Sequence, residues 1–200
     1  MFITIIKTLG GFYMKVKDLV LVSLFAALMC LFSIICIPLP TPVPFTLQIF
    51  GVAITGGLLG SYLGATAMII YTLLGAIGLP VFSGMKGGVQ VLVGPTGGYI
   101  FGFIVATFVI GVGMKYIVHK QSNPTIKFIA MFLIMTLGLI ISYIAGTIQL
   151  KFVTGLSWPG AIVAGVLPFL VLDLSKVLLS AVAVHNVYPA LLKSNLITPR

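Results

Sequence analysis

The stretch Pro-Phe-Leu-Val-Leu-Asp-Leu-Ser-Lys-Val-Leu-Leu-Ser, residues 168–180, places two charges inside an apolar segment long enough to cross a membrane. Asp173 and Lys176 are three residues apart, so they share one face of a helix. An ionised side chain in hydrocarbon costs several kcal/mol, and such residues usually face the interior of a helix bundle and mark a functional site. The remaining chain is expected to surround this face.

The composition indicates an integral membrane protein. Hydrophobic residues make up 60% of the 200 residues and charged residues only 6%, whereas soluble domains carry about 25% charged residues. Since one span needs about 20 residues, the chain has room for about six spans with short connections. Residues 1–200 are therefore predicted to form a single transmembrane domain, with residues 1–13 as an N-terminal extension outside the fold.

The apolar pattern predicts an all-α protein with six transmembrane helices. The predicted spans are residues 19–37, 47–59, 62–77, 97–118, 126–150 and 160–186. The second and third are separated at a glycine-rich segment, although Gly56, Gly60 and Gly64 could instead lie on one face of a continuous helix. Pro168 is expected to kink the last span. The glycine-rich residues 78–99 predict irregular backbone that is buried in protein or lines a cavity.

The basic residues indicate how the spans are oriented. A net charge of +9 would suggest nucleic acid as a partner of a soluble protein, but here the charges cluster at the ends of spans, and no nucleic acid is expected. With six spans and a cytoplasmic N-terminus, only Lys86 and Lys151 fall outside, as the positive-inside rule favours. The residues predicted to lie on the cytoplasmic side are Lys7, Lys15, Lys17, Lys115, Lys120, Lys127, Lys193 and Arg200. Both termini are then cytoplasmic.

The charged face of the last span has the chemistry of a ligand site. Asp173 can accept hydrogen bonds, Lys176 can donate three, and Phe169 on the same stripe offers an apolar wall. The alternative is an ion pair that only satisfies itself, but a purely architectural pair could be replaced by apolar residues without loss. A proton relay is a third possibility, for which a second intramembrane acid is missing. Further polar side chains near the outer ends of spans are Gln48, Tyr99, Tyr143 and Gln149.

Enzyme functions are not supported by the sequence. His119 and His185 are far apart in sequence and have no accompanying cysteine or acidic cluster, so neither a metal site nor a serine–histidine arrangement can be assembled. The chain also has no Gly-x-x-x-x-Gly-Lys-Ser/Thr motif for a nucleotide phosphate. We expect no catalytic residues, no metal and no cofactor.

Four motifs follow one another along the chain: PVPFTLQ at residues 42–48, LGAIGLPVF at 74–82, GPTGGY at 94–99 and PFLVLDLSK at 168–176. Together they resemble the BioY family, the biotin-binding S components of energy-coupling factor (ECF) transporters of prokaryotes. The resemblance implies a six-helix subunit of the cytoplasmic membrane that captures biotin from outside. It also implies partners, namely a transmembrane coupling protein and two ATPases that supply the energy.

The resemblance also implies roles for individual residues. Asp173 and Lys176 match the substrate contacts of the family, with Asp173 accepting a ureido N–H of biotin and Lys176 donating to the ureido carbonyl or to the carboxylate. The loops at residues 42–48 and 84–99 would close over the ligand. Lesser candidates for substrate contact are Gln48, Thr96, Tyr99 and Phe169. The family docks on its coupling protein through small residues of the first helix, and the corresponding residues here are Ser23, Ala26, Ala27 and Cys30.

Two other functions stay open at the level of sequence. The same fold could serve a different small vitamin-like molecule, which binding of biotin measured against thiamine and riboflavin would distinguish. The chain could also be a structural membrane protein with no transport role, and it would then tolerate the loss of both Asp173 and Lys176.

Overall fold

The computed structural model describes residues 15–197, and the regular elements in that range are helices apart from one pair of two-residue strands. The elements are α1 (Val16–Ile34), β1 (Cys36–Ile37), β2 (Phe45–Thr46), α2 (Gln48–Ala76), α3 (Val89–Leu92), α4 (Gly97–Tyr116), a 3₁₀ turn (Val118–Lys120), α5 (Pro124–Thr154), α6 (Trp158–Gly165) and α7 (Leu170–Lys193). Helices α1, α2, α4, α5 and α7 are long and apolar enough to cross a membrane. The prediction of an all-α, multi-pass chain is thus confirmed, whereas the predicted extension at residues 1–13 lies outside the described residues.

Helix α2 reverses direction at Gly60, whose φ of 76° and ψ of −170° lie in a region open essentially to glycine alone. The amide of Gln48 donates to the hydroxyl of Tyr71 at 2.9 Å. On a straight helix these two residues would be about 35 Å apart. Helix α2 is therefore a hairpin whose arms, residues 48–59 and 61–76, lie side by side. The predicted interruption at the glycine-rich segment is present, and the continuous helix does not occur.

The reversal fits closely against α4 because glycine occupies the point of contact. A side chain added at Gly111 would overlap the backbone of Gly60 and Ser61. In the same way, Gly56 approaches the side chain of Ile110 and the carbonyl of Thr107. Small residues allow such close packing of helix backbones in lipid, where apolar burial gives little drive for association.

Two predicted spans differ from the observed elements. Helix α1 ends at Ile34, three residues earlier than predicted, because β1 turns away and pairs antiparallel with β2. The last span, predicted as one kinked helix over residues 160–186, is instead two helices separated by residues 166–169. Pro168 lies in this break, and since proline has no N–H to donate, it cannot continue the helical hydrogen bonds.

The bundle has two ends with different charge. At one end, Lys17 donates to the carbonyl of Asn195 at 3.4 Å, and His119 stacks on Tyr188 with 4.5 Å between ring centroids. We call this the basic end, and its lysines are Lys15, Lys17, Lys115, Lys120, Lys127 and Lys193. The opposite end, formed by residues 36–47, 78–96 and 155–169, is called the site end, and it carries Lys86 and Lys151.

The backbone conformation at the reversal gives a first test. Gly60→Ala should lower the free energy of unfolding by about 1–3 kcal/mol, because alanine must adopt a conformation that costs this much. Thermal unfolding of the purified protein in detergent measures the loss. The neighbouring substitution Ser61→Ala, at a position with ordinary helical geometry, should leave the midpoint close to that of the unmodified protein. Equal midpoints for the two variants would contradict the reversal.

Candidate functional site

The centre of the site is an ion pair buried where α7 begins. The ammonium of Lys176 lies 2.6 Å from Oδ1 of Asp173, and each side chain is only 7% exposed. Oδ2 of Asp173 accepts a hydrogen bond from the hydroxyl of Tyr143 at 2.8 Å. Because the helix breaks before Leu170, Asp173 lies in the first turn of α7, where the positive end of the helix dipole stabilises a carboxylate. Lys176, Tyr143 and the helix dipole thus all act on this carboxyl group.

Lys176 connects the ion pair to the strand pair of residues 36–46. Its ammonium donates to the backbone carbonyl of Thr46 at 2.5 Å and lies 3.6 Å from the centre of the Phe45 ring. A lysine has three N–H donors, and two are used by oxygen atoms while the ring covers a further side of the ammonium. Lys176 therefore fastens β2 to the carboxylate, and it is not itself among the residues that line the cavity.

Beside Asp173 lies a cavity whose empty volume, counting its mouth, is about 550 Å³. Its lining is apolar for the most part, with a few polar groups. The lining residues are Val43, Pro44, Thr46, Gln48, Ile49, Ser83, Thr96, Tyr99, Ile100, Phe103, Tyr143, Gly165, Phe169 and Asp173. Such a surface suits a small molecule with a polar head and an apolar body.

The buried polar side chains of the cavity are held by hydrogen bonds. Tyr99 donates to the carbonyl of Gly165 at 2.8 Å, which joins α4 to the end of α6. Gln48 donates to Tyr71 and accepts from the hydroxyl of Thr46 at 3.0 Å. Because their partners lie on different elements, these side chains keep fixed positions around the cavity.

The loop of residues 77–88 is pinned to the bundle by Phe82. Its side chain is fully buried against the glycine surface of Gly75 and packs edge-to-face on Tyr71 at 5.5 Å. Ser33 donates to the carbonyl of Val81. This anchoring holds the adjacent Ser83 at the wall of the cavity.

Most of the substrate-binding residues predicted from sequence come together here. Asp173, Gln48, Tyr99, Thr96 and Phe169 all line the cavity. Lys176 does not: it is on the buried stripe as predicted, but its ammonium is turned to Asp173, Thr46 and Phe45 instead of the cavity. The physical reason is that Thr46 and Phe45, contributed by another part of the chain, surround the lysine head on the far side of the carboxylate.

The predicted docking residues of α1 divide between two faces. Ser23 and Ala27 are exposed on the outer surface of the helix, and Cys30 is half-buried. Ala26 is only 2% exposed and packs inside the bundle. Ala26 therefore does not lie on the exposed face of α1, and its role as a docking contact stays a prediction.

Tyr143 is the functional side chain that sequence reasoning missed. It was recognised as a polar residue near the end of its span, but nothing in the sequence connects residue 143 with residue 173. Its role depends on the packing of α5 beside α7, which brings the phenol to the carboxylate. A tyrosine one helical turn from Thr147 on an apolar helix is the pattern that could have suggested it.

Comparison with known proteins identifies what the chain is similar to. A sequence profile of the BioY family matches residues 6–193. The biotin transporter BioY of Thermotoga maritima is 43% identical over 166 residues, covering 82% of this chain and 92% of that protein. The probable biotin transporter BioY of Pyrococcus horikoshii is 39% identical over 163 residues, covering 82% of this chain and 91% of that protein.

A solved structure shows the same likeness in three dimensions. It is described as the S-component for biotin from an ECF-type ABC transporter, and it superposes with a TM-score of 0.77. The sequence identity is 28%, and the match covers 88% of this chain and 94% of that one.

The biotin transporter BioY of Rhizobium etli is 36% identical over 185 residues, covering 89% of this chain and 98% of that protein.

The ion pair predicts non-additive effects on stability. Lys176→Met alone leaves a buried carboxylate without its counter-ion and should lower the free energy of unfolding by about 3–5 kcal/mol. Combining it with Asp173→Asn removes the uncompensated charge and should restore part of that loss. Unfolding in detergent of the two single variants and the double variant measures the coupling. Strictly additive losses would contradict an interacting pair.

Proposed function

The chain belongs to the BioY family, and we propose that it is the S component of an ECF transporter, binding biotin from outside the cell for uptake. The observation that carries this proposal is the cavity beside Asp173, where a buried carboxylate held by Lys176 and Tyr143 meets a largely apolar wall. The function is transport, and no catalytic step is assigned to any residue.

The carboxylate of Asp173 suits the ureido ring of biotin. That ring presents two N–H donors and one carbonyl, and an ionised carboxylate offers about four acceptor positions, of which Lys176 and Tyr143 occupy two. Asp173 can therefore accept ureido N–H groups without releasing its present partners. The energy of such a bond is greater than that of a neutral one because the acceptor is charged.

The apolar walls suit the remainder of the ligand. Phe169 and Phe103, with Ile100, provide surface for the thioether ring and the aliphatic tail. Thr96 and Ser83 bring hydroxyl groups to the same cavity. Two different ends of the ligand can thus be matched by polar groups while its middle is buried.

We propose that the main role of Lys176 is to hold Asp173 and β2 in position. Direct donation by Lys176 to biotin, as the family resemblance implies, would require its ammonium to leave the carbonyl of Thr46 or the ring of Phe45. In its present position Lys176 contacts Asp173 at 2.6 Å and fixes β2 beside the cavity. The resemblance implies that the loops at residues 42–48 and 84–99 close over the ligand, and this closure stays a prediction.

We propose six membrane crossings, because the hairpin of α2 contributes one crossing with each arm. This count places both described ends of the chain on the same side, as the contact of Lys17 with Asn195 requires. The basic end then faces the cytoplasm and the site end faces outward, in the cytoplasmic membrane, with Lys86 and Lys151 as the outward lysines. The partners are a transmembrane coupling protein, which docks on the exposed face of α1 at Ser23 and Ala27, and two ATPases.

Ligand titration of the purified protein tests the binding role. Asp173→Asn should weaken biotin binding at least tenfold, since losing a charged hydrogen-bond acceptor costs more than about 1.4 kcal/mol. The control is Ser175→Ala, an exposed position two residues along the same helix, which should bind biotin like the unmodified protein. Thiamine and riboflavin should be retained far less than biotin. Unchanged biotin binding by Asp173→Asn, or preference for another vitamin, would contradict the proposal.

Labelling of single cysteines tests the orientation separately. In a variant in which Cys30 and Cys36 are replaced by serine, Lys86→Cys should react with a membrane-impermeant maleimide in intact cells. Lys120→Cys, at the basic end, should react only after the membrane is permeabilised. The reverse pattern, or the same reactivity at both positions, would contradict six crossings with a cytoplasmic basic end.

A further inference from the structure

A second concavity lies on the outside of the bundle, between α5 and the broken pair α6 and α7. Its open side exposes Ile144, Ile162 and Trp158, which are 43–56% exposed. The groove encloses about 1010 Å³ of empty space, counting that open side. The lining residues are Ile140, Tyr143, Ile144, Thr147, Ile148, Trp158, Ile162, Val166 and Leu170. Because the chain spans a membrane, this apolar surface faces hydrocarbon.

The ammonium of Lys151 lies at the end of this groove that is nearest the site end of the bundle. On α5 the groove residues Ile140, Ile144 and Ile148 recur every four positions, and Lys151 follows one turn later on the same face. The ammonium of Lys151 lies 5.1 Å from the centre of the Trp158 ring. The two acidic side chains of the sequence are Asp173, which contacts Lys176, and Asp18, which lies in the first turn of α1 at the basic end, so neither lies beside Lys151. Tryptophan and lysine at a span end are typical of the headgroup level of a bilayer.

We propose that this groove binds a phospholipid with an anionic headgroup, with one acyl chain along α5 and the phosphate at Lys151. The distance along α5 from Ile140 to Lys151 is about 16 Å, which corresponds to one leaflet of a hydrocarbon core about 30 Å thick. A helix of a protein partner could fill the apolar part of the groove, but it would not explain the ammonium of Lys151 at the end of the groove. The phospholipid accounts for both features.

The groove shares a wall with the cavity of the site. Tyr143 lines both, and its hydroxyl is bonded to Asp173. A lipid chain in the groove therefore packs against the side chain that supports the carboxylate. The site is new with respect to the proposed biotin binding and does not depend on it.

The single tryptophan of the chain makes the proposal measurable. Trp158 lines the groove, so phospholipids with brominated acyl chains should quench its fluorescence when they bind there. In mixed micelles, brominated phosphatidylglycerol should quench at about fivefold lower mole fraction than brominated phosphatidylcholine, the effect expected of one lysine near anionic lipid. Lys151→Gln should remove this preference, and Lys86→Gln, at the other lysine of the site end, should preserve it. Equal quenching by both lipids in the unmodified protein, or a preference retained in Lys151→Gln, would overturn the proposal.

A pair of neighbouring positions tests the acyl chain itself. Ile162→Trp fills the groove and should reduce the phospholipid that stays bound in native mass spectrometry at least severalfold. Val163→Trp is the matched control, because Val163 is also exposed to lipid but does not line the groove. The control should retain lipid like the unmodified protein. Equal retention by the two variants would also overturn the proposal, since the occupant would then not lie in the groove.

Discussion

The structure depends on the contact between a carboxyl group and an ammonium that are both buried inside a helix bundle. The attraction between Asp173 and Lys176 at 2.6 Å does not by itself stabilise the fold relative to an apolar pair, because removing two charges from water costs about as much as their contact returns. What the ion pair provides is a charged acceptor in a fixed position. The surrounding chain gives this acceptor two partners, Lys176 and Tyr143, and leaves it at the wall of the cavity.

Several distant segments are needed to satisfy that requirement. Tyr143 comes from α5, and the first turn of α7 contributes its dipole. The carbonyl of Thr46 and the ring of Phe45, which hold Lys176, come from β2. The break before Leu170 is essential, since an uninterrupted helix would place Asp173 in mid-helix with no free N-terminal amides near it. A ligand bound at Asp173 would thus contact a place where three elements, α5, α7 and β2, already meet.

Several residues that line the cavity could be predicted from the sequence, but their contacts with one another could not. A lone acid and a lone lysine in an apolar run are rare enough to be found by inspection, and glycine and proline showed where helices end or turn. The sequence could not show which docking candidates of α1 are accessible, because adjacent positions such as Ala26 and Ala27 look equivalent in sequence and differ only in what covers them. The orientation of Lys176 and the role of Tyr143 could not be predicted, since both depend on contacts between residues 30 to 130 positions apart.

The reversal at Gly60 also determines how the protein fits the bilayer. The two arms of α2 are about 18 Å and 24 Å long, and both fall short of a hydrocarbon core about 30 Å thick. Such hydrophobic mismatch is relieved when the lipid around a short helix thins. The side of the bundle formed by the hairpin should therefore sit in a locally thinner membrane than the side formed by α5, and this asymmetry favours a tilt of the whole subunit.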